Sequence, residues 1–394
     1  MRARKRVVTS LDRPAGSGRG SAGGADWPGS ARRVRPATAA RSPRSTRDGE
    51  LGAGTRVRGA AAGIGAGVAP PAPQTPLDLS VDLGRGLFLR NPILVASGAA
   101  GYGVELEDQL EPERLGALVT RGTTLRPRTG NAPPRIVRTP AGILNGIGLH
   151  NPGLEAVLER YVEVWARWPV PVIVNLAADS TADFVELARR LEGVPGIAAV
   201  ELNLSCPNSA RGGTLFALEA EAAGALTAAV RRACDLPLLV KLSPAAPDPR
   251  AVARAVADAG ADVISAVNTR PGLALAADRS RPELGSAYGG LSGPAIRPIA
   301  LRVVHEISRS VRIPVVAMGG VTVLDDVLDF LAVGAAAVGV GTAAIADPGL
   351  PGRLAGELAD ACAARGLASH LSLIGTALSR RPPGPSARGA EYRP

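Results

Sequence analysis

Aromatic residues are scarce in this sequence, at 3% of 394 residues, although 46% of the residues are apolar. A large core is therefore possible, but it must be built from Val, Leu, Ile and Ala, which suit a parallel sheet covered by helices. Cysteine is scarcer still, and Cys206, Cys234 and Cys362 have neither metal-type spacing nor a paired arrangement. This pattern argues against a disulfide scaffold, and we expect a protein of the reducing cytoplasm with no metal site.

Long apolar segments are also lacking. The longest apolar run, residues 330–346, is rich in glycine and shorter than the roughly 20 residues that span a bilayer. It is more typical of a helix end followed by a buried strand. The basic residues Arg2, Arg4, Lys5 and Arg6 are not followed by an apolar segment, so we expect neither a secretory signal nor a membrane anchor.

The net charge of +10 is confined to one end of the chain. Residues 1–75 hold 14 Lys/Arg and 4 Asp/Glu, whereas the rest of the chain holds 31 of each. We therefore expect no nucleic-acid surface on the folded part. Residues 1–75 are rich in Arg, Gly, Ala, Ser and Pro without an apolar period, which predicts a disordered extension. Residues 376–394 are predicted to be a second disordered tail, and residues 76–375 a single folded domain.

Eight short apolar runs alternate with amphipathic stretches between these tails. The runs cover residues 92–97, 117–124, 171–178, 199–206, 237–243, 262–269, 314–320 and 335–342. Each is typical of a strand buried on both faces. Helical patterns include residues 181–191, 218–234, 250–259, 294–310 and 323–333. Eight such strands joined by helices predict a (β/α)8 TIM barrel, with a doubly wound open sheet as the alternative.

Two long Pro/Gly-rich excursions interrupt this alternation, at residues 125–153 and 273–292. Loops of this length in a compact barrel usually form walls of a functional site.

Polar residues follow the predicted strands, and asparagine dominates among them. Asn175, Asn203 and Asn268 lie within or at the end of apolar runs, where an amide without a partner would be costly. An amide offers donors and acceptors without charge, which suits a pyrimidine or isoalloxazine ring. Because the carboxyl ends of barrel strands meet at one rim, we expect a polar site there.

Lys241 is one of only two lysines in the chain, the other being Lys5, although Lys and Arg together number 45. A lone lysine inside an apolar run indicates a need for a compact, deeply placed ammonium. Such a group would stabilise negative charge on a reduced flavin.

Glycines end the last two predicted strands, at Gly319, Gly320 and Gly341. TIM barrels commonly bind a phosphate at this position through backbone N–H groups. No G-x-G-x-x-G motif follows a strand, which favours a mononucleotide, FMN ahead of NAD. Cys206 lies in a loop segment just beyond the fourth strand and is a candidate general base.

Nine segments together resemble the class 1B dihydroorotate dehydrogenases, over about residues 77–375. They are NPILVASG (91–98), GYG (101–103), NGIGLHNPG (145–153), ELNLSCPN (201–208), VKLSP (240–244), VNT (267–269), GGLSGP (289–294), MGGV (318–321) and VGT (340–342).

The resemblance implies FMN-dependent oxidation of (S)-dihydroorotate to orotate in pyrimidine (UMP) biosynthesis. Cys206 would remove the C5 proton, and a hydride would leave C6 for the flavin. The FMN-binding residues implied are Ser97, Arg121, Gly122, Asn175, Asn203, Lys241, Val267, Gly293, Gly319, Gly320, Gly341 and Thr342. The substrate-binding residues implied are Arg121, Asn145, Gly146, Ile147, Gly148, Leu149, Asn203, Asn208, Asn268 and Thr269.

The resemblance also implies a partner subunit that carries FAD and a 2Fe–2S cluster and passes electrons to NAD, with a homodimer inside a heterotetramer. This chain lacks the cysteines for a cluster of its own. The family's second strand ends in a lysine, where this chain has Arg121. Arginine keeps the charge and can grip a carboxylate through two hydrogen bonds, but it is larger and planar.

Three other functions remain open. A dihydropyrimidine dehydrogenase-like enzyme acting on dihydrouracil would share the Ser-Cys-Pro-Asn segment and Lys241, without needing a carboxylate clamp at Arg121. A class 1A enzyme that uses fumarate would work without a partner subunit. A protein of another class would bind polyanions through its basic residues 1–75.

Overall fold

The computed structural model describes residues 77–208 and 214–378, without the side chains of residues 207, 208 and 214. The predictions for residues 1–75 and for most of 376–394 lie outside the described residues. The strands, in chain order, are β1 (Val81–Asp82), β2 (Phe88–Leu89), β3 (Ile93–Val95), β4 (Ala117–Val119), β5 (Ile136–Thr139), β6 (Gly142–Asn145), β7 (Val172–Leu176), β8 (Ala199–Asn203), β9 (Pro207–Asn208), β10 (Thr214–Leu215), β11 (Leu238–Leu242), β12 (Val263–Ala266), β13 (Arg270–Leu273), β14 (Tyr288–Ser292), β15 (Val315–Met318) and β16 (Ala337–Val340).

The α-helices are α1 (Glu107–Leu110), α2 (Leu154–Trp165), α3 (Thr181–Leu191), α4 (Ala220–Arg231), α5 (Pro249–Asp258), α6 (Arg297–Ser308), α7 (Leu324–Ala332), α8 (Thr342–Ala346) and α9 (Leu350–Ala364). Short 3-10 helices cover Val104–Leu106, Pro112–Arg114, Phe216–Leu218, Pro294–Ile296 and His370–Leu373. Within the described residues, no helix combines the length and the apolar character that crossing a bilayer requires.

Eight parallel strands form a closed barrel in the order β3-β4-β7-β8-β11-β12-β15-β16, and β16 pairs with β3 to complete it. Each of the eight predicted runs contains one of these strands, so the predicted TIM barrel is confirmed and the open sheet is wrong. The strands read as continuous apolar runs because both of their faces are covered, one by helices and the other by the barrel interior.

The helices that cover the barrel begin where the sequence provides caps. The Ser180 hydroxyl accepts the N–H of Asp183 at 3.1 Å at the start of α3. Asp248 accepts N–H groups at the start of α5, where Pro249 occupies the first turn. All five predicted helices are present. α2 and α9 were not among them, although α2 packs Leu154, Val157 and Trp165 into the outer core.

The amino-terminal end of the barrel is closed by the β1–β2 hairpin. Its side chains Val81, Leu83, Leu87 and Leu89 join one cluster with inward residues of the barrel strands. Arg85 in the turn pairs with Asp262, the residue that precedes β12, at 3.0 Å. The sequence analysis did not predict this hairpin, and residues 77–91 were left without an assigned element.

The two excursions combine into one four-stranded antiparallel sheet, in the order β13-β14-β6-β5. β6 pairs with β14 through Asn145 and Gly290, Leu144 and Leu291, and Ile143 and Ser292. A small core of Val137, Leu144 and Leu284 supports this sheet. The excursions were predicted as loops, and this prediction is wrong for 136–145 and 288–292, whose partners come from a distant part of the chain.

Candidate active site

A cavity of about 790 Å³ lies at the carboxyl ends of the barrel strands. Every barrel strand contributes a residue at or just after its end, and the four-stranded sheet adds a wall. Residues contributed by the strand ends include Ser97, Arg121, Asn175, Asn203, Lys241, Asn268, Gly319 and Gly341. TIM barrels place their sites at this end, and the volume lies within the roughly 300–1,000 Å³ usual for small-molecule sites.

The structure brings together nearly all of the predicted site residues. All twelve predicted FMN-binding residues line this cavity, and so do the predicted substrate-binding residues apart from Asn208. The side chain of Asn208 lies outside the described residues. Cys206 is the other exception, because it is not among the described residues that line the cavity.

Hydrogen bonds within the protein orient the asparagines of the cavity. The Asn175 amide donates to Glu201 Oε2 at 2.6 Å, and the Asn268 amide donates to Asn203 Oδ1 at 3.0 Å. On the wall, the Asn145 amide donates to the Gly290 carbonyl at 3.1 Å. These bonds orient the amides while each side chain still contacts the cavity. The separate bonds together fix the donors and acceptors offered to a ligand.

Lys241 points inward from β11 and is almost fully buried. Its ammonium donates to the Ser97 hydroxyl at 2.9 Å and lies 3.9 Å from the Glu201 carboxylate. Glu201 is completely buried on β8, and its other oxygen, Oε1, has no hydrogen-bond partner in the described part of the chain. The sequence analysis missed Glu201. The signal was present, because an acidic residue inside the apolar strand AVELN is as unusual there as Lys241 is in its own strand.

Arg121 adds a second cation to the wall, just after β4. Its guanidinium makes no hydrogen bond or ion pair with the described residues, so its donors are available to a ligand. Arg121 acts electrostatically on Tyr102, whose ring stacks on Tyr161 with ring centroids 4.5 Å apart. Burial raises the pKa of Tyr102 to about 12, so this residue stays neutral beside the cationic wall.

Cys206 lies just after β8 and is 1% exposed. Burial raises the pKa of its thiol to about 12, and the Asp179 carboxylate raises it further, whereas the Ala178 backbone and Arg128 lower it. The thiol is thus protonated at neutral pH in this arrangement. Cys234 and Cys362 are also free and buried, and they lie beside and within helices of the outer layer.

The rim of the cavity has an apolar side. Ile136, Ile143, Tyr288 and Ile345 all line the opening, and Tyr288 is among the most exposed large side chains of the described residues. Lys241, Arg121 and the amides line the same cavity. A ligand in the cavity therefore meets both polar and apolar groups.

The fold and the cavity define a (β/α)8-barrel protein whose eight strand ends share one small-molecule site. The sequence model of the dihydroorotate dehydrogenase family matches residues 81–361. The chain therefore belongs to the dihydroorotate dehydrogenase family and is an oxidoreductase.

Three relatives carry the name dihydroorotate dehydrogenase B (NAD(+)), catalytic subunit. The protein of Desulforudis audaxviator is 45% identical over 292 residues, covering 74% of this chain and 95% of that protein. The protein of Geobacter sulfurreducens is 46% identical over 298 residues, covering 76% and 97%. The protein of Pelobacter propionicus is 45% identical over 298 residues, covering 76% and 98%.

Proposed function

We propose that this chain is the FMN-binding catalytic subunit of an NAD-linked dihydroorotate dehydrogenase, which oxidises (S)-dihydroorotate to orotate for pyrimidine synthesis. The observation that carries the proposal is the cavity itself, where a buried lysine, a free guanidinium and oriented amides meet at the strand ends. This set offers two cations and uncharged amides to a planar ring that carries a carboxylate.

Gly341, at the end of β16, leaves room for a ligand. An added Cβ there would meet nothing closer than the Cβ of Ala96 at 3.8 Å, and the φ of Gly341 is not positive. Neither packing nor a left-handed backbone therefore accounts for glycine at this position. The open space beside the Gly341 backbone fits a ligand group such as the phosphate of FMN.

The residues that would bind FMN divide into two groups. Gly319, Gly320 and Gly341 would hold the phosphate through backbone N–H groups, and Lys241 would lie at the polar edge of the ring. FMN, when bound, supplies the acceptor for a hydride. The ammonium of Lys241 would stabilise the negative charge that the ring gains on reduction.

Dihydroorotate would bind against Arg121, with its ring amides facing Asn145, Asn203 and Asn268. Oxidation removes a proton from C5 and a hydride from C6, and the C5–C6 double bond forms. We propose the Cys206 thiolate as the group that accepts the C5 proton; because Cys206 does not line the cavity in the described structure, its sulfur must come closer to the substrate during the reaction. The acidity of Cys206 therefore sets how the rate depends on pH.

The electrons would leave through a separate subunit. The relatives are named as catalytic subunits, which is consistent with a partner. The three cysteines of this chain are dispersed, so an iron–sulfur cluster would have to belong to that partner. We propose a homodimer of this chain within a heterotetramer in the cytoplasm.

The full-length protein tests the proposal directly. It should purify yellow or take up FMN, and anaerobic addition of (S)-dihydroorotate should bleach the flavin absorbance. Bleaching by dihydrouracil instead would assign the substrate of the alternative enzyme, and turnover with fumarate and no partner would assign the class 1A acceptor. A colourless protein that takes up no FMN would overturn the proposal.

A further inference from the structure

One layer of the barrel interior is polar, although the layers on the amino-terminal side are apolar. Asn175, Glu201, Lys241 and Ser265 are all buried on neighbouring strands β7, β8, β11 and β12. Asn175 pairs in register with Glu201, and Lys241 with Ser265. Below them the inward residues are Ile173, Ala199, Leu239 and Val263. The carboxylate of Glu201 thus lies between the floor of the cavity and the apolar barrel.

The burial of the Glu201 carboxylate at this depth calls for an explanation. Burying a charge is costly unless it is paired, and replacing a buried pair by apolar residues is often neutral or stabilising. Glu201 has one bond from Asn175 and one oxygen, Oε1, without a partner among the described residues. Its remaining neighbour of opposite charge is the ammonium of Lys241, at 3.9 Å.

We propose that Glu201 is a positioning residue that holds the ammonium of Lys241 at the edge of the ligand ring. The inference rests on the proposed FMN-dependent function. A lysine side chain is flexible, and its bond to the Ser97 hydroxyl alone does not fix where the ammonium lies. The Glu201 carboxylate adds an electrostatic attraction, and Asn175 holds that carboxylate in place through its 2.6 Å bond.

Other ionisable groups near Lys241 are few in the described structure. Its only ion-pair partner there is Glu201, and its hydrogen bond goes to Ser97. The further ionisable side chains that line the cavity are Glu105, Arg121, His150 and Tyr288. Glu105 accepts a bond from the Tyr161 hydroxyl at 3.0 Å, which occupies its carboxylate away from Lys241. Glu201 is therefore the carboxylate paired with this ammonium.

Sulfite binding provides a test without turnover. Sulfite adds reversibly to oxidised flavin, and the adduct is favoured by positive charge near the polar edge of the ring. The dissociation constant of sulfite would be measured at one pH for the FMN-loaded parent, Glu201→Gln and Lys241→Met. The ratio of variant to parent removes the contribution of sulfite protonation.

We expect this ratio to be about tenfold or more for Glu201→Gln and close to that of Lys241→Met, because the ammonium is no longer held beside the ring. A ratio of one would overturn the inference. A ratio below one would also overturn it, because Glu201 would then only weaken the field of Lys241. The matched control is Asp262→Asn, which removes the same charge at the opposite end of the barrel and should give a ratio of one.

A second measurement covers the case in which Glu201→Gln folds poorly. Thermal unfolding would be compared for Glu201→Gln, Lys241→Met and the double variant. If Glu201 acts through Lys241, Glu201→Gln should lower the melting temperature less in the Lys241→Met background than in the parent. Equal losses in both backgrounds would overturn the inference. Absence of FMN from the parent would count against the proposed function as well, whereas a sulfite ratio of one for Glu201→Gln, with a parent that dihydroorotate reduces, would count against the inference alone.

Discussion

At the amino-terminal end of the barrel, the β1–β2 hairpin packs Leu83 and Leu87 against the inward side chains, whereas at the carboxyl-terminal end the strands stop at polar residues around an open cavity. The same eight strands build both ends. The closed end removes apolar surface from water, which stabilises the fold. The open end holds the charged side chains Lys241 and Arg121, whose burial does not stabilise the fold as apolar burial does. Substitutions at the two ends should therefore separate stability from chemistry.

The largest effect is expected at the open end, for Cys206→Ser. Serine is a much poorer base than a thiolate, so flavin reduction by dihydroorotate should slow by about 10²- to 10⁴-fold. Because burial raises the pKa of the parent thiol to about 12, the parent rate should increase with pH across the neutral range as thiolate forms. Anaerobic stopped-flow absorbance at several pH values measures both effects.

The control for this prediction is Cys362→Ser, which alters a buried thiol in α9. Its flavin reduction should match that of the parent. If Cys206→Ser reduced the flavin at the parent rate, Cys206 would have no part in the reaction.

At the closed end, Leu87→Ala should destabilise the fold by about 2–5 kcal/mol, because Leu87 lies between β1 and β2 and is buried against the inward barrel residues. FMN affinity and flavin reduction should stay at the parent values at temperatures where the variant is folded. Chemical denaturation followed by circular dichroism measures the loss. The neighbouring Phe88→Ala is the control, since Phe88 is 61% exposed and should change stability little. Loss of FMN binding in Leu87→Ala would show that the two ends are not independent.

A smaller effect is expected for Gly341→Ala at the open end. The added methyl group has room in the protein but would occupy space next to a bound phosphate. FMN affinity should fall by roughly tenfold or more, which corresponds to about 1.4 kcal/mol. Quenching of FMN fluorescence on binding measures the affinity. Gly356→Ala on the exposed side of α9 is the control, and it should leave FMN affinity unchanged while stabilising the helix by about 0.5–1 kcal/mol.

The smallest effect concerns His370, which is completely buried in the last 3-10 helix, near Asp78. Burial lowers the pKa of His370 from 6.5, although Asp78 opposes this shift, and neither ring nitrogen has a hydrogen-bond partner in the described residues. The folded state thus favours the neutral ring. Its contribution to stability is complete above about pH 6.5 and is lost as the pH falls toward the lowered pKa, by at most about 1.4 kcal/mol per pH unit.

His370→Leu should remove this part of the pH dependence of the unfolding free energy, measured by urea denaturation. His305→Gln on α6 controls for the loss of a histidine. A slope unchanged in His370→Leu would assign the acid sensitivity to other groups.

The barrel could be predicted from the sequence because each strand is a continuous apolar run and each run ends at a polar or glycine residue. Predicting the barrel also predicted most of the candidate site, because the carboxyl ends of parallel strands, with the polar residues there, meet at one rim. The β1–β2 hairpin and the four-stranded sheet could not be predicted. Their strands are short, and the pairing of Asn145 with Gly290 joins β6 to β14, which lies far along the chain. Glu201 was missed for a different reason. Its acidic side chain is visible in the sequence, but its role depends on contact with Lys241 on the adjacent strand, which only the fold brings about.

The pairing of β6 with β14 also constrains how this chain can change over evolution. Ile143 faces the cavity while its neighbour Leu144 is buried in the small core of the sheet. A single inserted residue in either strand would exchange these faces. The lengths of residues 125–153 and 273–292 are therefore tied together, although more than a hundred residues separate them. In a chimaera of two relatives joined between these segments, the two parts of the four-stranded cavity wall should not match. Exchanging both segments together should preserve the site.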